Sequence, residues 1–217
     1  MTTFALIPGA ATDRWYWHLL EAELRARGHE TVAVDLPCDD DAAGLPEYAD
    51  AAVAAIGDRS DVVVVAHSFG GFTGPLVCAR RPVRRLVLVT AMVPRPGEAP
   101  GDWWANTGHE QAPAVDDVDL FLHDVPAGLA AEAMRHGRDQ SGTPMSAPWP
   151  LDAWPDVPTS FLLCRDDKFF PADFVRRVVR DRLGVIPDEM DGSHHPMLSR
   201  PRELADRLEG HLEGCAD

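Results

Sequence analysis

The sequence predicts a doubly wound α/β fold: about six mostly parallel strands, flanking helices, and a helical cap inserted near the middle. Three observations lead there. Short runs rich in Val, Ile and Leu alternate with amphipathic stretches. One such run breaks into a sharp turn at Ser68. A stretch dense in Pro, Gly and Trp, from Pro94 to Pro158, then interrupts the alternation.

The runs Phe4 to Ile7, Thr31 to Val34, Asp61 to Ala66 and Arg85 to Val89 suit strands buried on both faces, the habit of parallel sheets under helices. Asp13 is placed to cap a helix over Arg14 to Arg27, and Gly28 to end it. Pro46 opens an Ala-rich helix reaching Ile56, and a third helix begins at or just after Ser68 and stops before Pro82. After Val93 the texture changes. Asp116 to His123 and Ala127 to Gly137 read as short helices inside a segment too long for a plain loop. The expected organisation is a core of residues 1–93 and 159–217 around a cap of residues 94–158. Thr159 to Cys164 then reads as a strand, Pro171 to Leu183 as a helix, Gly184 to Met190 as a strand and Pro201 to Leu212 as a closing helix. Strict alternation of this kind implies right-handed crossovers.

Composition narrows the partners. The balance of 20 Lys+Arg against 35 Asp+Glu gives a formal charge of -15, which repels phosphate backbones and anionic headgroups. A small-molecule substrate is expected, with neither nucleic acid nor membrane as partner, and a homodimer is compatible with the sequence. The longest apolar runs, such as Val62 to Ala66, fall far short of the roughly 20 residues of a membrane span. Met1 to Thr3 lead straight into the first strand with no basic n-region or cleavage site, so a cytoplasmic setting is expected. Cys38, Cys78, Cys164 and Cys215 lie far apart, which suits neither a zinc site nor a disulfide framework.

The segment Val62 to Gly71 carries the chemistry. A four-valine strand turns at Ser68 into a helix, with small residues at Ala66 and Gly70. This is the pattern of a nucleophile elbow, G-x-S-x-G with alanine in the first place, where a strained turn exposes the serine. A serine hydroxyl needs a base, and the base needs an orienting acid. In such sheets they follow in the order Ser, Asp or Glu, His. Asp166 and Asp167 stand after one later strand, and His194 and His195 after the next, so one of each pair can meet Ser68 at the C-terminal sheet edge. Oxyanion donors are expected from the backbone N–H of Phe69, after the nucleophile, and of Ala10, in the loop that Gly9 allows to swing inwards. No metal and no organic cofactor is required.

These features resemble the α/β-hydrolase superfamily, and within it the compact plant methylesterases, hydroxynitrile lyases and their bacterial relatives. The likeness rests on Leu6-Ile7-Pro8-Gly9-Ala10, Trp15-Tyr16-Trp17, Gly28-His29, Val34-Asp35-Leu36, the Ser68 elbow, Cys164 to Lys168 and His194 to Ser199. It implies Asp167 rather than Asp166 as the acid and His194 rather than His195 as the base. Pro8 replaces a customary histidine, which spares a donor that is a backbone amide. Hydroxynitrile lyases have a threonine and a lysine where this chain has Gly9 and His195. The implied activity is cleavage of a small, apolar carboxylic ester through an acyl-enzyme. The alternatives are a cofactor-free lyase or other non-hydrolytic enzyme of the same fold, and a small-molecule-binding protein with a vestigial triad. Trp103, Trp104, Trp149, Trp154 and Met145 are available to line a site under the cap, although lid packing is the first expectation for each, as burial in the first helix is for Trp15 and Trp17.

Overall fold

The computed structural model describes residues 1–110 and 116–213. In chain order they form β1 (Thr3–Ile7), α1 (His18–Ala26), β2 (Glu30–Ala33), α2 (Leu45–Ile56), β3 (Val62–His67), α3 (Gly70–Arg80) and β4 (Arg85–Val89). Four short helices follow: α4 (Trp103–Thr107), α5 (Asp117–Phe121), α6 (Ala127–Arg135) and α7 (Thr143–Ser146). The chain closes with β5 (Thr159–Cys164), α8 (Ala172–Leu183), β6 (Asp188–Met190), α9 (Pro196–Ser199) and α10 (Pro201–Glu213).

The six strands form one wholly parallel sheet in the order β2-β1-β3-β4-β5-β6. Strand order reverses between β1 and β3, and there the loops at the C-terminal edge part to leave a crevice. Both faces are covered. Along β1, Ala5 and Ile7 share one hydrophobic layer with Tyr48 of α2, Phe72 of α3 and Val178 of α8, whereas Phe4 and Leu6 belong to the other, with Leu20 of α1 and Leu208 of α10. Alternation of side chains along a strand thus feeds two hydrophobic layers from one apolar run.

Several boundaries differ from the sequence reading, each for a local reason. Asp13 does cap, its carboxylate accepting the Trp15 N–H at 2.8 Å, but the first turn, Arg14–Trp17, is 3-10 before α1 begins. Trp17 is buried, whereas Trp15 stays partly exposed and stacks on His136. The strand expected from Gly184 shrinks to three residues, because Gly184 adopts the left-handed cap of α8 and Pro187 brings no N–H to a ladder. Helices α4, α7 and α9 lacked the length that makes a periodic pattern visible. Cys38 and Cys164 are buried, and burial raises the Cys78 thiol to about 12; Cys215 lies outside the described residues.

One buried ion pair ties the segment after β4 to the core. Arg182 of α8 reaches both carboxylate oxygens of Glu98, at 2.5 and 2.9 Å, and the carbonyl of Val93 at 2.6 Å. Asn106 and the Arg95 N–H also donate to Glu98, so this carboxylate is fully partnered and is held below its usual range against the opposing effect of burial.

Candidate active site

Ser68 sits directly after β3, a strand buried along its whole length. Its φ of 51° is the left-handed region, which a residue with a side chain adopts only where the surroundings enforce it. The enforcement is visible. The Ser68 N–H donates to Val89 O at 3.3 Å, and its carbonyl accepts from Gly71 N–H at 3.0 Å and Met92 N–H at 2.9 Å. Glycine is needed at two places here. A Cβ on Gly70 would stand 2.7 Å from the Pro8 carbonyl oxygen, and one on Gly71 would run into the carbonyl of Met92. Alanine at position 66, the departure from G-x-S-x-G, is absorbed by Gly74: a Cβ there would lie 2.8 Å from that of Ala66.

The loop after β1 passes against the nucleophile. A Cβ on Gly9 would meet the Ser68 Cβ at 2.9 Å and His67 Nδ1 at 3.1 Å. Thr12 Oγ1 donates to the Gly9 carbonyl at 3.1 Å, and Gln140 Oε1 accepts the Ala11 N–H at 3.2 Å. The N–H groups of Ala10 and Phe69 donate no hydrogen bond to any described residue, so both remain free for a ligand.

Asp167 follows β5 and is buried. Its Oδ1 accepts the N–H groups of Phe169 and Phe170 at 2.8 and 3.0 Å, and its Oδ2 accepts His194 Nδ1–H at 2.8 Å. His194 follows β6, equally buried, and its Nε2 lies 2.9 Å from Ser68 Oγ. A carboxylate on Nδ1 fixes the proton there and leaves the Nε2 lone pair for the serine hydroxyl. Residues 68, 167 and 194 therefore meet in one hydrogen-bonded chain at the C-terminal edge of three different strands. Asp166 belongs to a different device: its Oδ2 accepts the Gly192 N–H at 3.0 Å, and its own N–H donates to the Gly192 carbonyl at 3.2 Å, pinning the acid loop to the histidine loop. The Ser193 N–H adds a bond to Asp124, contributed by the segment between α5 and α6.

Two further histidines complete the floor. His67 donates from Nε2 to the His194 carbonyl at 2.8 Å, and Thr90 Oγ1 donates to the same oxygen at 3.2 Å. Burial, with His194 nearby, holds the His67 imidazole well below its ordinary value, and burial with His67 and His194 does the same for His195. Both are neutral near pH 7. Ring nitrogens of His67, His194 and His195 lie within 4.8 Å of one another. As a metal site the set fits poorly: both nitrogens of His194 are already engaged by Asp167 and Ser68, and His67 Nε2 is engaged by the His194 carbonyl.

Above this floor lies a cavity of about 370 Å³. Phe121, Leu122, Met134 and Phe169 supply its apolar wall. Tyr16 also lines it, but its hydroxyl is spent on the Ala133 carbonyl at 2.8 Å and burial pushes its pKa up to about 12. The tryptophans do not line it. Trp103 and Trp149 are core residues, each N–H donating to a buried carbonyl, and Trp104, Trp154 and Met145 pack against the same core. The sequence reading missed Phe121, Phe169 and the pocket role of His67 and His195. A signal existed for three of them: His67 adjoins the serine, His195 adjoins His194, and Phe169 stands two residues after Asp167.

A strained serine on a strand-to-helix turn, a histidine and a carboxylate from later strands, and free amides beside them form one recognisable plan, and a family model described as "Alpha/beta hydrolase family" matches residues 4–207. The chain belongs to the alpha/beta hydrolase family. Among its relatives, a probable hydrolase R7 of Phoma sp. is 26% identical, over 93% of this chain and 94% of that one. Methylesterase 7 of Arabidopsis thaliana is 25% identical, over 93% of this chain and 92% of that one. In three dimensions this hydrolase superposes on the crystal structure of polyneuridine aldehyde esterase with a TM-score of 0.84 at 22% identity, covering 98% of this chain and all of the other. At that identity the likeness speaks for the fold.

Proposed function

We propose that this alpha/beta hydrolase is a serine esterase that cleaves a small, largely apolar carboxylic ester through an acyl-enzyme. The observation that carries this reading is the chain Ser68 Oγ to His194 Nε2 at 2.9 Å and His194 Nδ1 to Asp167 Oδ2 at 2.8 Å. His194 takes the hydroxyl proton as Ser68 Oγ attacks the ester carbonyl. Asp167 keeps the imidazole oriented and stabilises the imidazolium. The N–H groups of Ala10 and Phe69 receive the oxyanion. The tetrahedral intermediate expels the alcohol, which takes the proton from His194, and water deprotonated by the same imidazole then cleaves the acyl-enzyme. Residues 94–158 act as the cap, with Phe121, Leu122 and Met134 over the acyl or alcohol group.

The names of two of the relatives, a probable hydrolase and a methylesterase, point the same way, whereas norfluorocurarine synthase 1 of Strychnos sp., 24% identical, is not named for hydrolysis. The lyase alternative is disfavoured by Gly9: the threonine that hydroxynitrile lyases carry there has no room against the Ser68 Cβ. Labelling with a fluorophosphonate tests the reading against a merely binding protein. The wild type is expected to react at Ser68 and to turn over nitrophenyl esters. Ser68→Ala is expected to lose both while keeping its thermal unfolding profile. An unlabelled Ser68, or a fully active Ser68→Ala protein, would overturn the proposal.

A further inference from the structure

The main chain that carries the His194 imidazole is held residue by residue, from several segments. Gly192 exchanges two bonds with Asp166, its N–H donating to Oδ2 at 3.0 Å and its carbonyl accepting the Asp166 N–H at 3.2 Å. The His194 carbonyl accepts from His67 and Thr90. Between them, the buried Ser193 N–H has one partner among the described residues, Asp124 Oδ2 at 3.1 Å and 69 positions away. Of all these partners Asp124 alone comes from residues 94–158. Its side chain is largely buried. Arg200 Nε stands 3.7 Å from the same Oδ2, while Oδ1 has no hydrogen-bond partner among the described residues. A carboxylate taken out of water and left half satisfied costs free energy, so stability does not account for it. What it touches is the loop of the base. Gly192 has a φ of 130°, and a Cβ on it would stand 3.2 Å from the Arg200 side chain and 3.4 Å from Asp124 Oδ2. The same stretch reaches the cavity: Leu122 and Phe121, two and three positions before Asp124, wall it, and the Phe121 ring lies 5.6 Å from that of His194.

We propose that Asp124 is a positioning residue for the reaction at Ser68. By holding the Ser193 N–H it fixes the main chain next to His194, and it makes the seating of residues 117–124 a condition of the imidazole meeting the serine. The inference rests on the serine-esterase reading and adds a residue to it. Replacing Asp166 leaves Gly192 its backbone bond, whereas Ser193 has no second hold among the described residues. A base displaced by a fraction of an ångström loses rate rather than substrate affinity.

The test compares wild type, Asp124→Ala, Asp124→Asn and Lys168→Ala on 4-nitrophenyl butanoate. In Asp124→Ala kcat is expected to fall about 30-fold with KM within about threefold of wild type, the size of loss a slightly misplaced catalytic group produces. Asp124→Asn keeps an acceptor oxygen for the Ser193 N–H and is expected to restore kcat to within about threefold. Lys168→Ala loosens the same segment elsewhere. Lys168 Nζ donates to Asp119 Oδ1 of α5 at 2.5 Å, in a partly exposed ion pair, and its loss is expected to leave kcat within about twofold. A second readout needs no turnover: the far-downfield proton resonance of His194 Nδ1–H, assigned by its loss in His194→Ala. It is expected to be unchanged in Asp124→Asn and shifted or broadened in Asp124→Ala. A wild-type kcat or an unmoved resonance in Asp124→Ala would overturn the inference. So would an Asp124→Asn protein as slow as Asp124→Ala, or an equal loss in Lys168→Ala. Should Asp124→Ala not fold, Asp124→Glu, which displaces the carboxylate by one methylene, takes its place, with kcat expected to fall about tenfold and a wild-type value overturning the inference. Should the wild type turn over no ester, the esterase reading fails separately and the resonance alone decides the role of Asp124.

Discussion

The two sides of the catalytic chain are held by different physics. The serine side is steric: a positive φ at Ser68, glycines at positions 9, 70 and 71 where any Cβ would collide, and a helix packed down on the strand. The acid–base side is electrostatic. Asp167 is fixed by two backbone N–H groups, His194 by Asp167, and the two loops by Asp166 and Gly192. A steric site is written in residues adjacent along the chain. A hydrogen-bonded one is assembled from residues that only folding brings together, with Asp167 and His194 27 positions apart and Ser68 and His194 126 apart.

The contrast breaks or sharpens under substitution. The largest expected effect is on the electrostatic side: Asp167→Asn leaves the fold in place and lowers kcat by about 10⁴-fold, because the imidazole loses its tautomer and its counter-charge. Asp166→Ala, measured in the same ester assay, loses less than about tenfold, since only one loop hydrogen bond goes. Comparable losses for the two would dissolve the distinction drawn between them. On the steric side, Gly71→Ala reverses the pattern. Its Cβ meets the Met92 carbonyl, so stability falls by about 3 kcal/mol in urea unfolding, with lost activity as a consequence. A stable Gly71→Ala protein would show that the elbow can relax.

A pH slope tests the floor beneath both sides. His67 and His195 are held well below the ordinary value of 6.5 in the native state. Above that pH neither state carries their protons, and their contribution to stability is complete. Below it the unfolded chain takes up protons that the native site refuses, so stability falls as pH falls, by up to about 1.4 kcal/mol per pH unit for each histidine. Urea midpoints between pH 7 and 5 check this, and His195→Leu is expected to halve the slope.

Much of the fold was legible because it is local. Four apolar runs mark β1 to β4, and the elbow announces itself from Ala66 to Gly71 within a single stretch. The choice of Asp167 over Asp166 was not legible from the residues alone: both follow the same strand, and only the resemblance separated them. In space, Asp167 turns toward His194 and Asp166 toward Gly192. The cavity wall was the least legible part. Tryptophans are the conspicuous residues between β4 and β5, but they went to the core, where each buried indole N–H found a carbonyl, and plainer residues such as Phe121 and Met134 took the wall.

By itself, then, the amino-acid order determined a parallel sheet between two helical layers and a strained serine at the edge of β3, because period, capping and steric exclusion act between neighbours along the chain. Tertiary structure alone decided which carboxylate and which imidazole meet that serine, and which aromatic rings face the cavity. Those outcomes depend on distances between segments remote in sequence, and on whether a buried polar atom finds a partner when the layers close.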